Sequence, residues 1–198
     1  MEFVTVEEIE ETIRGDLVQT PAMVKGGALH DVVAFPDRYH DPRAGIFVHR
    51  DRRNKPTGWR FGYQSINDLR HAIGAHVVEL KTEFEVAGHT IVAKADGLTG
   101  REVHELKVRG KVPFEPDWFV DSFQWRIYAL AFKAGAVTYH LVTVDDDGPD
   151  GVAVVETHQK LTNYPYPSMA AEVRALVLDF ADFARSRNLE GYLGEEEE

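Results

Sequence analysis

Cysteine is absent from the 198 residues, which excludes disulfides, thiolate zinc sites, cysteine nucleophiles and cysteine-ligated iron–sulfur clusters. Long hydrophobic runs are absent as well, since no stretch approaches the roughly 18 apolar residues of a membrane span. The first residues are acidic, whereas a secretory signal would begin with basic and then apolar residues. These absences favour a soluble, cytoplasmic protein with no membrane contact. The length suits one well-buried domain, which we expect to span residues 1–198.

An excess of basic residues is also lacking, because 22 Lys and Arg stand against 33 Asp and Glu, for a net charge of −11. This balance argues against a protein that coats nucleic acid or membranes through bulk positive charge. The acidity is localised, however. Residues 1–11, 145–150 and 190–198 together carry −14, so the rest of the chain is +3. We therefore expect a mildly basic body and a frayed acidic C-terminal tail at 190–198.

Periodicity predicts alternating helices and strands. Helices are expected at about 4–18, 22–35, 65–73, 117–134 and 169–187, with Ser65 and Ser168 as N-caps. Strands are expected at about 76–86, 90–96, 102–108, 136–144 and 152–158. Short glycine-containing turns join the first three strands, which predicts an antiparallel meander. Residues 36–60 are rich in Pro, Gly, Asp and Arg without a clear period, so we expect a long ordered loop or insertion there. This order predicts an α/β or α+β fold with one central sheet flanked by helices.

Two acidic residues and a lysine form the most informative pattern. Asp96 ends the second strand of the meander, and Glu105 and Lys107 lie two residues apart on the third, so they share a face. Carboxylate oxygens suit Mg²⁺ or Mn²⁺, which bridge to phosphate oxygens. A neighbouring ammonium activates water or neutralises charge that develops on phosphorus. The pattern therefore has the groups that phosphodiester hydrolysis needs.

A structural interpretation of the same residues stays open. Acids and lysines alternate on the solvated face of many strands, so Glu105 and Lys107 alone are weak evidence for a site. The surrounding hairpin is largely apolar, as in Ile91-Val92-Ala93, and an acid in such surroundings needs a partner or a function. The neighbourhood thus favours a functional role.

The order of the motifs resembles the PD-(D/E)XK nuclease superfamily. Asp96 followed by Glu105-Leu106-Lys107 resembles its signature, and Gln124-Trp125-Arg126-Ile127-Tyr128 resembles the QxxxY motif of the RecB-like branch. Upstream, Gly26-Gly27-Ala28-Leu29-His30 is similar to the glycine-then-histidine helix of that branch, and residues 31–39 resemble a segment of the RecE-like phage exonucleases. The resemblance implies a restriction-endonuclease-like core, in which helices flank a central mixed sheet made of the antiparallel meander and further strands.

The resemblance also implies roles for individual residues. Asp96, Glu105 and the backbone carbonyl of Leu106 would bind a divalent metal, Mg²⁺ or Mn²⁺, with His30 as a further ligand. Lys107 would assist the attacking water. Catalytic support would come from Gln124 and Tyr128, which lie one helical turn apart. His30 as a packed residue and Tyr128 as a core aromatic are the alternatives.

The basic residues are candidate contacts for DNA. The stretch 43–60 is the most basic in the chain, at +5, and basic loops beside a catalytic site supply phosphate contacts that position a duplex. The candidates are Arg43, Arg50, Arg52, Arg53 and Lys55, together with Arg109 and Lys111 after the third strand. The remaining histidines show no common ligand spacing and receive no role: His71, His76, His89, His104, His140 and His158.

These observations lead to one expected function and two alternatives. We expect a metal-dependent DNA nuclease without an iron–sulfur cluster, most consistent with an exonuclease that acts on duplex ends in phage-type recombination or repair. A homo-oligomer and a single-strand annealing protein are partners implied only by the resemblance. The alternatives are an endonuclease of restriction or defence type, and a catalytically silent nucleic-acid-binding module of the same fold.

Overall fold

The computed structural model describes residues 6–15, 19–109, 114–146 and 148–193. The helices in these ranges are α1 (Val6–Arg14), α2 (Pro21–Ala34), α3 (Pro36–Tyr39), α4 (Tyr63–Ile73), α5 (Asp117–Asp121), α6 (Phe123–Ala131) and α7 (Met169–Ser186). The strands are β1 (His40–Asp41), β2 (Ile46–Arg50), β3 (Pro56–Gly62), β4 (Val77–Val86), β5 (His89–Thr99), β6 (Glu102–Arg109), β7 (Ala136–Asp145) and β8 (Val154–Asn163). None of the helices in these ranges is both long and apolar enough to cross a membrane.

A five-stranded mixed sheet forms the centre of the molecule, in the order β4-β5-β6-β7-β8. Neighbouring strands are antiparallel except for β6 and β7, which are parallel. A parallel pair needs a crossover connection, and α5 and α6 provide it. The expected meander, further strands and flanking helices are therefore confirmed.

The meander contains a fork that matters for the site. Strands β4 and β5 pair from end to end and meet in the turn Ala87-Gly88, whose positive φ angles of 55° and 84° match a primed hairpin turn. Strands β5 and β6, in contrast, share three pairs, from Thr99↔Glu102 to Gly97↔His104. Beyond Gly97 the two strands diverge, while β6 stays paired with β7 as far as Arg109. A gap therefore opens inside the sheet, next to Asp96.

Two apolar cores cover the two faces of this sheet. The first joins α2, α4 and the residues of β1–β3 to Leu106 and Val142 of the sheet. The second joins α6 and Met169 of α7 to Val103 and Tyr139 on the opposite face. The gap beside Asp96 thus lies between a layer containing α2 and a layer containing α6, and both layers reach it.

Residues 36–60 correct the expectation of a loop. They fold into the short helix α3 and most of a second antiparallel sheet, in the order β1-β2-β3. Phe47 and Phe61 are directly paired and fully buried in the first core. Arginine, aspartate and proline are frequent in this stretch and obscure the strand pattern, and the burial of the two rings decides the structure.

The long helix expected at 117–134 is also corrected, because Ser122 interrupts it. Ser122 has an extended backbone (φ −61°, ψ 137°), and its hydroxyl accepts a hydrogen bond from the backbone N–H of Gln124, which caps the new helix α6. The break rotates α6, so Trp125 and Tyr128 are buried and Phe123 is exposed. An unbroken helix over 117–134 would have put Phe123 on one apolar stripe with Ile127 and Leu130, and the break at Ser122 shows that this expectation is wrong.

Of the two serines predicted as N-caps, Ser168 occupies that position without a side-chain cap bond, and Ser65 lies inside its helix. Helix α4 begins at Tyr63, and Ser65 Oγ instead accepts a hydrogen bond from the backbone N–H of Val155 on β8 (2.7 Å). Helix α7 begins after Ser168 as expected, but the Ser168 hydroxyl donates to Glu172 Oε1 (2.9 Å). The Ser65 hydroxyl thus joins α4 to a distant strand, whereas the Ser168 contact stays within the first turn of α7.

Candidate active site

Asp96 occupies the gap between β5 and β6. Its Oδ2 accepts a hydrogen bond from the backbone N–H of Leu106 at 2.6 Å, so a side chain takes the place of the missing strand partner. Gly97 must lack a side chain here, because a Cβ at this position would stand 2.6 Å from Ala75 Cβ. The expected proximity of Asp96 to Glu105-Leu106-Lys107 is therefore observed.

His30 reaches Asp96 from helix α2. The helix is capped by Thr20, whose hydroxyl accepts from the Met23 N–H (3.3 Å), and Pro21 occupies its first turn. His30 Nδ1 lies 3.2 Å from Asp96 Oδ1. The histidine is thus an ion-pair partner of the first acid in this structure, and its role as a metal ligand stays a prediction.

Glu105 is contacted by the layer that contains α6, through Gln124. Its side chain is 6% exposed, and its Oε1 accepts hydrogen bonds from Lys107 Nζ (2.8 Å) and Gln124 Nε2 (3.0 Å). Gln124 Nε2 also donates to the Tyr128 hydroxyl (2.9 Å). Tyr128 is buried in the second core, so it is both a core aromatic and a member of this polar group. Glu105 Oε2 is buried and has no hydrogen-bond partner.

Burial and neighbouring charges set the protonation of the group. Burial opposes charge on His30, yet the hydrogen bond and charge of Asp96 outweigh it and raise the pKa of His30. Burial likewise opposes charge on Asp96, but His30 and the Leu106 N–H lower the pKa of Asp96. Burial, followed by repulsion from Asp96, raises the pKa of Glu105 despite the nearby Lys107. Burial and the charge of Glu105 also raise the pKa of Tyr128, which therefore keeps its proton.

The donor set fits a hard divalent cation. Within the described ranges, no three His, Asp or Glu side chains form a ready-made metal cage. The buried and unpartnered Oε2 of Glu105 is nevertheless costly without a cation or donor beside it. Mg²⁺ requires few protein ligands and keeps several waters, so Glu105 and Asp96 suit it. The carbonyl of Leu106 as a further ligand stays a prediction.

The structure separates the candidate basic residues. Arg52, Arg53 and Lys55 cluster in the turn between β2 and β3, where Asp51 Oδ1 accepts from the backbone N–H groups of Arg53 and Lys55. Arg50 ends β2, and its guanidinium donates to the carbonyl of Asn54. Arg43 lies in the turn at the other end of β2, roughly 16 Å away for a strand of this length. Arg43 and the 52–55 turn are therefore not one patch.

Arg109 lies on β6 in the same alternation as Glu105 and Lys107. Its guanidinium stands over the rings of Trp118 and Phe114, at 4.6 Å and 5.2 Å from their centroids. Lys111, the other candidate after this strand, lies outside the described residues. Contact of either residue with DNA stays a prediction.

Three histidines without an assigned role form a row across the sheet, in which His104 and His140 are buried and His158 is half-buried. His104 Nδ1 lies 3.1 Å from His140 Nε2, and His140 Nδ1 lies 2.9 Å from His158 Nε2. Burial, followed by the neighbouring histidines, lowers the pKa of His140 to about 3. The residues come from β6, β7 and β8, so no sequence spacing relates them. Their positions on apolar strands are the one signal that a sequence offers.

Arg126 is a second missed residue. Its guanidinium donates to the carbonyls of Asp121 and Ser122 (2.7 and 3.1 Å) and to the Tyr166 hydroxyl (2.8 Å). It therefore clamps the corner between α5 and α6 that directs Gln124 toward Glu105. An arginine between Trp125 and Ile127, inside an apolar helix, is the signal that could have identified it.

Comparison with known proteins finds a solved structure with a similar fold, and it finds no matching family. No family model matches the chain, and no curated protein matches it. The crystal structure of a protein from Eubacterium rectale, named "Putative exonuclease", aligns with 90% of this chain and 73% of its own, at 12% identity and a TM-score of 0.51. A second solved structure, SSO0001, aligns with 59% of this chain and 54% of its own, at 19% identity and a TM-score of 0.37. The first likeness shows that this mixed α/β fold is shared.

Proposed function

We propose that the protein is a metal-dependent nuclease of the PD-(D/E)XK type, in its RecB-like or RecE-like branch. One observation carries the proposal: Asp96 and the buried, half-unpartnered Glu105 meet beside Lys107 at a gap in the central sheet. The name of the structurally similar Eubacterium rectale protein, an exonuclease, supports the same reaction class. It also favours an exonuclease over an endonuclease.

Each side chain has a distinct task in this proposal. A divalent cation held by Asp96 and Glu105 would polarise the phosphate and offset its charge. Lys107 Nζ, which is 2.8 Å from Glu105 and part-exposed, would orient the attacking water and stabilise negative charge developing on the phosphate oxygens. Gln124 donates a hydrogen bond to Oε1 of Glu105. This bond fixes the orientation of the carboxylate and therefore the direction in which the unpartnered Oε2 points.

His30 sets the orientation of Asp96. Its Nδ1 faces Oδ1, while the Leu106 N–H holds Oδ2. A carboxylate fixed from both sides loses little freedom when it binds a cation, which favours a preorganised site. His30 is therefore a positioning residue whether or not it also binds the metal.

The test uses end-labelled linear duplex DNA and covalently closed circular DNA, each with Mg²⁺, with Mn²⁺ and with a chelator. We expect metal-dependent loss of the linear substrate and an intact circle. Lys107→Ala should abolish cleavage and leave DNA binding largely unchanged. Lys94→Ala is the matched control, because Lys94 is an exposed lysine on the neighbouring strand β5, paired with Glu79.

The outcomes separate the alternatives. Nicking of the circle would identify an endonuclease of the same chemistry. An active Lys107→Ala protein would contradict the assigned site. Binding of DNA without turnover under any metal condition would point to a silent binding module.

A further inference from the structure

Three adjoining depressions run from Asp96 around the C-terminal end of α2. The innermost is a chamber of ≈ 70 Å³ lined in part by His30 and Asp96, and its wall also includes Ala34 and Arg70. This volume holds only water molecules, each of which takes ~30 Å³ in the liquid. The chamber therefore connects the candidate site to the surface beside α2.

The next two depressions continue outward from the same wall. A surface depression of ≈ 430 Å³ shares Ala34 and Arg70 with the chamber and extends to Phe35 and Arg38. A groove of ≈ 560 Å³ shares Phe35 and Arg38 with that depression and extends along α2 to the basic turn after β2. We call this series of three depressions the α2 path. Its two outer volumes fall within the ~300–1,000 Å³ of sites that hold organic groups.

Phe35 stands at the middle of the α2 path. It is 43% exposed, although it lies between helices α2 and α3. An exposed aromatic ring is a surface on which an unstacked nucleobase packs. Phe35 belongs to the lining of both outer depressions, so a base on either side of the ring would contact it.

Arginines flank the ring along the path. Arg70 is anchored by the hydrogen bond from its Nε to the Val33 carbonyl (3.0 Å), which fixes its guanidinium at the end of α2. Arg38 lies one turn beyond Phe35, and Arg50 and Arg52 line the outer groove. Planar guanidinium groups suit phosphate oxygens.

Carboxylates of the outer groove are engaged elsewhere. Asp31 Oδ2 pairs with His49 Nε2 at 3.0 Å, and Asp51 accepts hydrogen bonds from the backbone of its own turn. Asp37 is the carboxylate that lines the middle depression. The linings of the two outer depressions together hold four arginines against three aspartates, so their balance is +1.

We infer that a single unpaired DNA strand lies along the two outer depressions of the α2 path, with a base stacked on Phe35 and phosphates on Arg38 and Arg70, while the inner chamber beside Asp96 holds water. The inference rests on the proposed nuclease function and narrows its substrate. Bases in a duplex are stacked on one another, so their faces are not available to an aromatic side chain. A blunt duplex must therefore fray before it occupies this surface beside the candidate site, whereas a single-stranded end binds there directly.

The experiment measures binding by fluorescence anisotropy in a chelator, so that no cleavage occurs. The probes are a labelled thymidine single strand of about 12 nucleotides, within the usual site size of such grooves, and a blunt duplex of the same length. Phe35→Leu keeps an apolar side chain of similar size and removes the ring face. Phe180→Leu is the matched control, because Phe180 is an exposed phenylalanine on α7. Thermal melts confirm that both variants fold.

The Phe35→Leu protein loses one stacked base and should bind the single strand roughly 5- to 150-fold more weakly than the parent protein. Duplex binding and the Phe180→Leu variant should stay unchanged, and Phe35→Trp should bind at least as well as the parent protein. Arg38→Gln should lower the slope of log K against log[salt] for the single strand by about 0.7, the value for one lost phosphate contact.

Two results would overturn the inference. Equal effects of Phe35→Leu on both probes, or none on either, would show that no unpaired base contacts the ring, while metal-dependent cleavage by the parent protein would leave the proposed function standing. Absence of both binding and cleavage for the parent protein would remove the inference together with the proposed function.

Discussion

Acid should destabilise this protein through the row of histidines across the sheet. The loss of unfolding free energy is clearest for His140. It is fully buried between His104 and His158, and its pKa in the folded protein is about 3, against 6.5 when unfolded. Below pH 6.5 the His140 imidazole therefore binds a proton in the unfolded chain and stays neutral in the folded protein. The free energy of unfolding falls by about 1.4 kcal/mol for each pH unit. Acidification from pH 6.5 to pH 4.5 thus removes roughly 2 kcal/mol through His140, because the unfolded histidine is only half protonated at pH 6.5.

The assay is urea unfolding between pH 7 and pH 4.5, for the parent protein and for His140→Gln. Other groups titrate over the same range, so the informative quantity is the difference between the two slopes. The parent protein should lose stability more steeply, by about 1.4 kcal/mol per pH unit below pH 6.5. His71→Gln, which replaces an exposed histidine on α4, controls for the loss of a histidine in itself. Parallel curves for the parent protein and His140→Gln would refute the reasoning.

Three further outcomes follow from the site and its support. Mg²⁺ at a hundred times its Kd should raise the free energy of unfolding by about 2.7 kcal/mol. This is measured as a higher Tm for the parent protein and an unchanged Tm for Glu105→Gln. Equal shifts of Tm in both proteins would contradict the metal assignment. Gln124→Leu removes the donor to Glu105 Oε1 and should lower kcat about 10- to 100-fold with little change in KM. The control Gln159→Leu on β8 should leave kcat unchanged. A change in KM alone would argue against a role of Gln124 in orienting Glu105. Ser65→Ala leaves the Val155 N–H without its acceptor and should cost about 1–2 kcal/mol in urea unfolding; an unchanged midpoint would contradict that contact.

The candidate site depends on a local failure of strand pairing. Strands β5 and β6 separate after Gly97 and His104, and the carboxylate of Asp96 then serves as acceptor for the Leu106 N–H. The gap admits His30 from one layer and Gln124 from the other. A continuous ladder would have placed a backbone carbonyl where Asp96 now stands. The site is thus an interruption in the sheet that two helices complete.

Spacing and the resemblance to known motifs together indicated the residues that meet at the candidate site, and periodicity predicted most of the elements that carry them. The spacing of Glu105 and Lys107 follows from the period of a strand, and that of Gln124 and Tyr128 from the period of a helix. Both periods are local properties, so a single sequence is enough to read them. The helix carrying His30 was likewise found within one residue at each end. The roles of these residues as ligands and catalysts stay predictions.

Local sequence could not determine features that depend on distant partners. The small sheet at β1–β3 forms because Phe47 and Phe61 are buried together against α2 and α4, although the intervening residues look like a loop. The expected long helix breaks at Ser122, where its hydroxyl caps α6 and Arg126 clamps the corner.

The contacts across the sheet and around α2 are the most distant in sequence. The row from His104 to His158 joins three strands, and the α2 path joins Phe35 to Arg70 of α4. Such contacts are fixed by strand order and by the packing of helices on the sheet. Short-range periodicity fixes which face a side chain occupies, and only the tertiary structure decides which side chain it meets there.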